Sequence, residues 1–98
     1  MATLIYSRRA FSDLERLVSF AEDRGPAEAL AVVAVIAEAV DLLARHPLIG
    51  RLAEHGLREL VISRGKTGYV ALYDFAPVPD EVVILAIRAQ REAGFRNL

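Results

Sequence analysis

Cysteine is absent from the 98 residues, histidine occurs twice, and the formal net charge is only −1. Without cysteine there can be no disulfide, no thiolate nucleophile and no cysteine metal site, and the composition fits a reducing compartment, so a cytoplasmic location is expected. With almost no net charge, no global field draws the chain onto nucleic acid; any such contact must come from a local basic patch. A long uncharged run is also missing: the stretch from Ala27 to Ala44 is interrupted by Glu28, Glu38 and Asp41, where a membrane span would stay apolar. "MATLIYSRRAF" lacks the basic segment and apolar run of a signal peptide, so neither secretion nor membrane insertion is expected. Repeats, low-complexity tracts and linkers are missing too, which predicts one domain over residues 1–98.

What is abundant is apolar surface. Hydrophobic residues make up 54% of the chain, more than a lone domain of this size readily hides, so a homodimer or a hetero-oligomeric partner is expected. "TLIYS" reads as a short strand with Ser7 as the cap of the following helix. In "RRAFSDLERLVSFAEDRG" the residues Ala10, Leu14, Leu17, Val18 and Ala21 fall at helical spacing, with Arg9, Asp13, Arg16 and Glu22 on the other side and Gly25 as the stop. Pro26 then opens a second helix that runs to His46 before Pro47. It is apolar over much of its circumference: Leu30, Val33, Ala37, Val40 and Ala44 make one stripe, Val32, Ile36 and Leu43 widen it, and the width predicts contact with both a sheet and something else. After the loop "PLIGRLAEHG", three strands follow, "LRELVIS", "YVALYDF" and "VVILAIR", joined by short connections. The predicted architecture is α+β: an N-terminal strand and a helical hairpin packed on one face of a small, mainly antiparallel sheet with a C-terminal three-stranded meander. In the last strand, Val83, Leu85 and Ile87 are expected to face the hairpin, and Ile84 and Ala86 the opposite side.

Most chemical motifs are excluded on inspection. "RGKTG" has Leu60 where a phosphate loop needs its first glycine, and a strand follows it instead of a helix. His46 and His55 lack a spacing that brings both to one metal ion, and His46 is explained as a cap at a helix C-terminus. Asp13 and Glu15 diverge on a helix, Asp80 and Glu81 lie in a turn, and Ser7, Ser12, Ser19 and Ser63 sit in no nucleophile elbow. No catalytic set, cofactor or metal is therefore expected. The remaining signal is basic and aromatic: Arg58, Arg64, Lys66, Tyr69, Tyr73, Arg88, Arg91 and Arg96 can converge along one margin of a meander.

Read together, "YSRRAFSDLERLVSF", "LLARHPLIGRL", "LRELVI", "GYVALYDF" and "VVILAIRAQREAGF" resemble, in order and spacing, the RelE/ParE superfamily of toxins from type II toxin–antitoxin modules, the plasmid stabilisation family. The resemblance covers nearly the whole chain. It implies a small cytoplasmic toxin neutralised by a cognate antitoxin that wraps its apolar and basic surfaces.

The superfamily's two activities differ in the residues they imply. Its ribosome-dependent RNA endonucleases place lysines on the strand before the hairpin turn, an arginine directly after the "GY", another arginine just after the last strand, and a tyrosine near the C-terminus. Here Leu60 and Ile62 occupy that strand, Val70 follows Tyr69, Ala89 falls near the arginine position and Phe95 replaces the tyrosine. Phenylalanine can neither donate nor accept a proton. The ParE-like branch, which binds and inhibits DNA gyrase, needs no acid or base, and the sequence fits it better. Arg58, Arg64, Lys66, Tyr73, Arg88 and Arg91 are then the expected contacts to target or antitoxin. The competing expectations are a nuclease acting on the ribosome and mRNA through Lys66, Arg88 and Arg91, and a non-toxic interaction module that retains the fold.

Overall fold

Ser7 converts the first strand into the first helix. In the computed structural model, which describes residues 1–64 and 67–91 without the side chains of residues 63, 64 and 67, the order is β1 (Thr3–Tyr6), α1 (Arg8–Glu22), α2 (Pro26–Arg45), β2 (Arg51–Leu52), a 3-10 turn (Glu54–Gly56), β3 (Arg58–Arg64), β4 (Thr67–Ala76) and β5 (Glu81–Ala89). The Ser7 hydroxyl accepts the Ala10 amide at 3.0 Å, satisfying a donor that the first helical turn leaves open.

Helix α1 buries Ala10, Asp13, Leu17 and Ala21, with Leu14 and Val18 packed at the edge of the core. The apolar spacing was legible, but the placement of Asp13 on the solvent side is corrected: its carboxylate points inward and accepts the Ile87 amide at 2.9 Å. Between the helices, Gly25 adopts φ 117°, a left-handed conformation that a side chain would strain. Helix α2 starts at Pro26, whose missing amide is harmless in a first turn. It stops at Arg45 because His46 precedes Pro47 and takes a non-helical backbone, φ −131° and ψ 67°.

The inward face of α2 is Ala29, Val32, Ile36, Val40 and Leu43. The expected stripe is therefore rotated. Val40 lies inside, as do Val32, Ile36 and Leu43 from the expected wider face, while Leu30 is 73% exposed and Val33 is exposed too. The physical reason is a helix apolar over most of its circumference, on which composition does not choose a face. The sheet chooses instead: Val32, Ile36, Val40 and Leu43 join Leu60, Ile62, Tyr69, Ala71, Tyr73, Val82, Ile84 and Ile87 in one core. Each such aliphatic side chain contributes about 1.5–3 kcal/mol on burial.

The sheet has five strands in the order β1-β5-β4-β3-β2. Three antiparallel pairings join β2 to β5, and β1 closes the far edge parallel to β5, so the sheet is mixed. The strand β2 was hidden in the expected loop; it is two residues long, and Arg51 crosses to Glu59 with a 3.1 Å ion pair. The expected facing of β5 is corrected in part. Val82 and Ile84 join the helix-side core, as does Ile87, because a bulge opposite Leu72 and Tyr73 slips the pairing by one residue between Ile84 and Ala86 and so reverses the alternation.

Candidate target-binding margin of the sheet

The residues expected to form one basic margin are divided between the two ends of the sheet. Arg58 opens β3 opposite Tyr73, whereas Arg64 closes the same strand opposite Thr67; an extended chain puts these ends roughly 20 Å apart. Arg88 pairs with Val70, level with Val61 halfway along β3, from where β5 runs on toward the Arg64 end. The Gln90 amide donates to the Gly68 carbonyl at 2.9 Å, which brings the turn carrying Arg91 to that end as well. Lys66 and the side chain of Arg64 lie outside the described residues, as do Phe95 and Arg96.

At the other end, Arg58 and Tyr73 are occupied by their own chain. Tyr73 is 0% exposed. Its hydroxyl donates to the Pro47 carbonyl at 2.8 Å and accepts the Gly50 amide at 2.9 Å. Burial pushes the phenol's pKa up from 10.0, against smaller opposing effects of the Gly50 hydrogen bond and the Arg58 charge. The Arg58 guanidinium donates to the carbonyls of Gly50 at 2.7 Å and Leu48 at 3.2 Å. Gly50 has no room for a side chain: a Cβ there would lie 2.6 Å from the Tyr73 ring and hydroxyl. Tyrosine, arginine and glycine together fasten "HPLIG" onto the sheet and leave Leu48, Ile49 and Leu52 exposed at its surface.

The Arg88 end is differently built. Arg88 is half-buried and its guanidinium reaches back to the carbonyls of Ala89 and Gln90 at 3.2 and 3.3 Å, while Arg91 is exposed in the following turn. Leu60 and Ile62 point into the core, and Val70 is buried on the opposite side of β4. This end presents positive charge on a rigid apolar platform, without a paired acid and base among the described residues. Among those residues, no group of three metal-ligating side chains forms, and no helix is long and apolar enough to cross a membrane.

Sequence reasoning missed three contributors. Asp13 was detectable as the one charged residue in the stripe Ala10, Asp13, Leu17 and Ala21. Ser7 was recognised as a cap, but its second bond, to the Leu85 carbonyl at 3.0 Å, has no local signal. Gly50 looked like an ordinary loop glycine until the ring beside it was placed.

A helical hairpin on one face of a five-stranded mixed sheet, with arginines where the central strands end, defines a compact α+β class. The chain belongs to the ParE toxin family of type II toxin–antitoxin systems, parDE, whose family model matches residues 4–94. It is 37% identical over 84 residues to Toxin RelE3 of Caulobacter vibrioides, spanning 86% of this chain and 89% of that protein. Its structure is similar to one described as the chromosomal ParDE TA system from P. aeruginosa, with a TM-score of 0.75 and 30% identity over 89% of this chain and 94% of that one. The chain is thus a RelE/ParE superfamily toxin of a type II module.

Proposed function

We propose that this toxin acts by binding and inhibiting DNA gyrase, and that a cognate antitoxin neutralises it. The observation that carries the reading is the occupancy of the nuclease positions. Leu60 and Ile62 fill the core where the resemblance would place lysines, and Val70 is buried where it would place an arginine. The Tyr73 phenol lies at the other end of the sheet, with its pKa raised by burial and its hydroxyl already hydrogen-bonded on both sides, so it is not available as a general base. Arg88 and Arg91 serve as the target contacts, together with Arg64 at the end of β3 and with Lys66. Arg58 shapes the "HPLIG" loop for them.

The antitoxin covers apolar surface that the fold leaves open. Leu30 and Val33 lie along α2, Phe11 and Phe20 project from α1, and Leu48 and Leu52 flank the fastened loop. A ParDE description of the structural relative fits such an arrangement.

Purified gyrase supercoiling, titrated with the toxin alone and with the toxin bound to its antitoxin, tests the reading. Inhibition relieved by the antitoxin is expected; an unchanged rate at large toxin excess refutes it. The name of the Caulobacter relative, RelE3, favours ribosome-dependent mRNA cleavage as the second reading. Programmed ribosomes incubated with the toxin then yield new mRNA ends that vanish in Arg91→Ala. If neither activity appears and induced expression leaves growth unchanged, the chain is a non-toxic interaction module.

A further inference from the structure

The strand β5 outlasts its neighbour. β1 ends at Tyr6, paired with Ile84, yet β5 continues to Ala89. Among the described residues, no strand lies beside the β1 side of β5 beyond Ile84, and Ala86 and Ile87 are fully buried there. Backbone groups left unpaired in such a place are costly.

Two side chains, Ser7 at the cap of α1 and Asp13 within it, take the place of a strand there. The Ser7 hydroxyl donates to the Leu85 carbonyl at 3.0 Å, just after the Ser7 amide has donated to Ile84 at 2.9 Å. Asp13, only 8% exposed, then accepts the Ile87 amide on Oδ2 at 2.9 Å. Arg9 and Arg16 flank its carboxylate at 3.5 and 3.8 Å. The Asp13 bond falls just past the bulge, where Leu85 has no partner in β4 and the pairing is shifted by one residue.

We propose that Asp13 is a positioning residue: its carboxylate fixes the register of β5 past the bulge and so sets the point and direction at which Arg88 and Arg91 leave the sheet. A buried carboxylate is a weak source of net stability compared with an apolar side chain of similar volume. What it supplies is a directed acceptor for one amide, and that amide belongs to the residue next to Arg88. The inference rests on the proposed function only in assigning those arginines to the target.

The direct test is a scalar coupling across the hydrogen bond, from the Ile87 amide nitrogen to the Asp13 side-chain carboxyl carbon, in the isotopically labelled full chain. Its presence is expected, and its absence with both signals assigned overturns the proposal. In Asp13→Ala, amide exchange at Ile87 and Arg88 is expected to accelerate by about tenfold or more while Ala71 and Ile36 stay protected. The toxin concentration needed for half-inhibition of supercoiling is expected to rise by a similar factor. Asp13→Asn keeps an acceptor oxygen and is expected to restore both readouts to within about threefold of the wild type.

Unchanged exchange at Ile87 in Asp13→Ala, or full inhibition despite its loss of protection, sinks the idea. If Asp13→Ala does not fold, the coupling in the wild type and the exchange in Asp13→Asn decide. A wild-type chain that leaves gyrase untouched refutes the proposed target alone; the coupling and exchange measurements still decide the positioning role, with growth arrest on induction as the functional readout.

Discussion

Tyr73→Phe removes one oxygen atom and tests how the "HPLIG" loop is held. The hydroxyl is fully buried, donates at 2.8 Å to the Pro47 carbonyl and accepts at 2.9 Å from the Gly50 amide. Phenylalanine keeps the ring packing but leaves both groups without this partner, and the Gly50 amide is buried. Such a loss costs about 2 kcal/mol, which for a domain of this size lowers Tm by roughly 8–16 °C. Chemical denaturation with an unchanged m-value is the appropriate assay. A variant within about 0.5 kcal/mol of wild type refutes the reasoning, since two buried bonds cannot be lost so cheaply. The same substitution has a pH signature. Burial raises the Tyr73 pKa above 10.0 in the folded chain, so the folded state holds a proton that the unfolded state releases. The resulting stability is complete below the unfolded value and declines as pH rises through it toward the folded one. Tyr73→Phe is expected to shrink that alkaline loss, leaving a remainder from Tyr6, whose pKa is raised by burial and then by the Asp41 charge.

Gly50→Ala forces a methyl group to within 2.6 Å of the Tyr73 ring and 2.9 Å of the Glu59 carbonyl, and is expected to lower stability by about 1–3 kcal/mol in urea unfolding. Ser7→Ala loses both the cap on Ala10 and the bond to Leu85, with an expected cost of about 1–2 kcal/mol by thermal melting. Arg58→Ala is expected to destabilise the chain through the carbonyls of Leu48 and Gly50, whereas the double substitution Arg88→Ala and Arg91→Ala is expected to abolish growth inhibition at unchanged abundance. Leu30→Glu, at a position 73% exposed, is expected to leave Tm unchanged and weaken antitoxin binding by tenfold or more, read by calorimetry.

The parts of the fold that were legible in the sequence are those set by local chemistry. Ser7 before a helical pattern, Pro26 after Gly25 and Pro47 after His46 mark boundaries because capping and proline sterics act over a few residues. What could not be read depends on partners distant in sequence. The rotation of α2 is decided by strands that follow it, and β2 exists only because Arg51 and Leu52 meet Glu59 and Arg58. The reversal in β5 comes from a one-residue slip against β4 that alternating hydrophobicity cannot reveal, since Ile84, Leu85, Ala86 and Ile87 are all apolar. For the candidate site, the arginines and tyrosines stand out in the sequence, but their distribution along the sheet does not. Arg58 and Arg88 look equivalent as arginines near strand ends; only the register shows that Arg58 is level with Tyr73 and Ile84, and Arg88 with Val70 and Val61.

That division follows from a common problem solved twice. A small sheet with strands of unequal length leaves backbone groups unpaired wherever a neighbour stops short, and this chain fills those gaps with side chains. Beside β5, Ser7 and Asp13 extend the edge that β1 abandons. Beyond the short β2, Tyr73 and Arg58 reach into the loop and take the carbonyls of Pro47, Leu48 and Gly50. Conserving backbone hydrogen bonds in this way commits polar residues to the scaffold, and a residue that ties a separate loop to the sheet, as Arg58 does, is a poor choice for recognising a partner. Arg58, bonded to two carbonyls, is therefore expected to act on recognition through the loop shape, and Arg91, exposed just beyond the anchored end of β5, by direct contact. The distinction predicts opposite profiles: loss at Arg58 tracks with stability across substitutions, while loss at Arg91 tracks with charge, so that Arg91→Lys retains inhibition that Arg91→Gln loses.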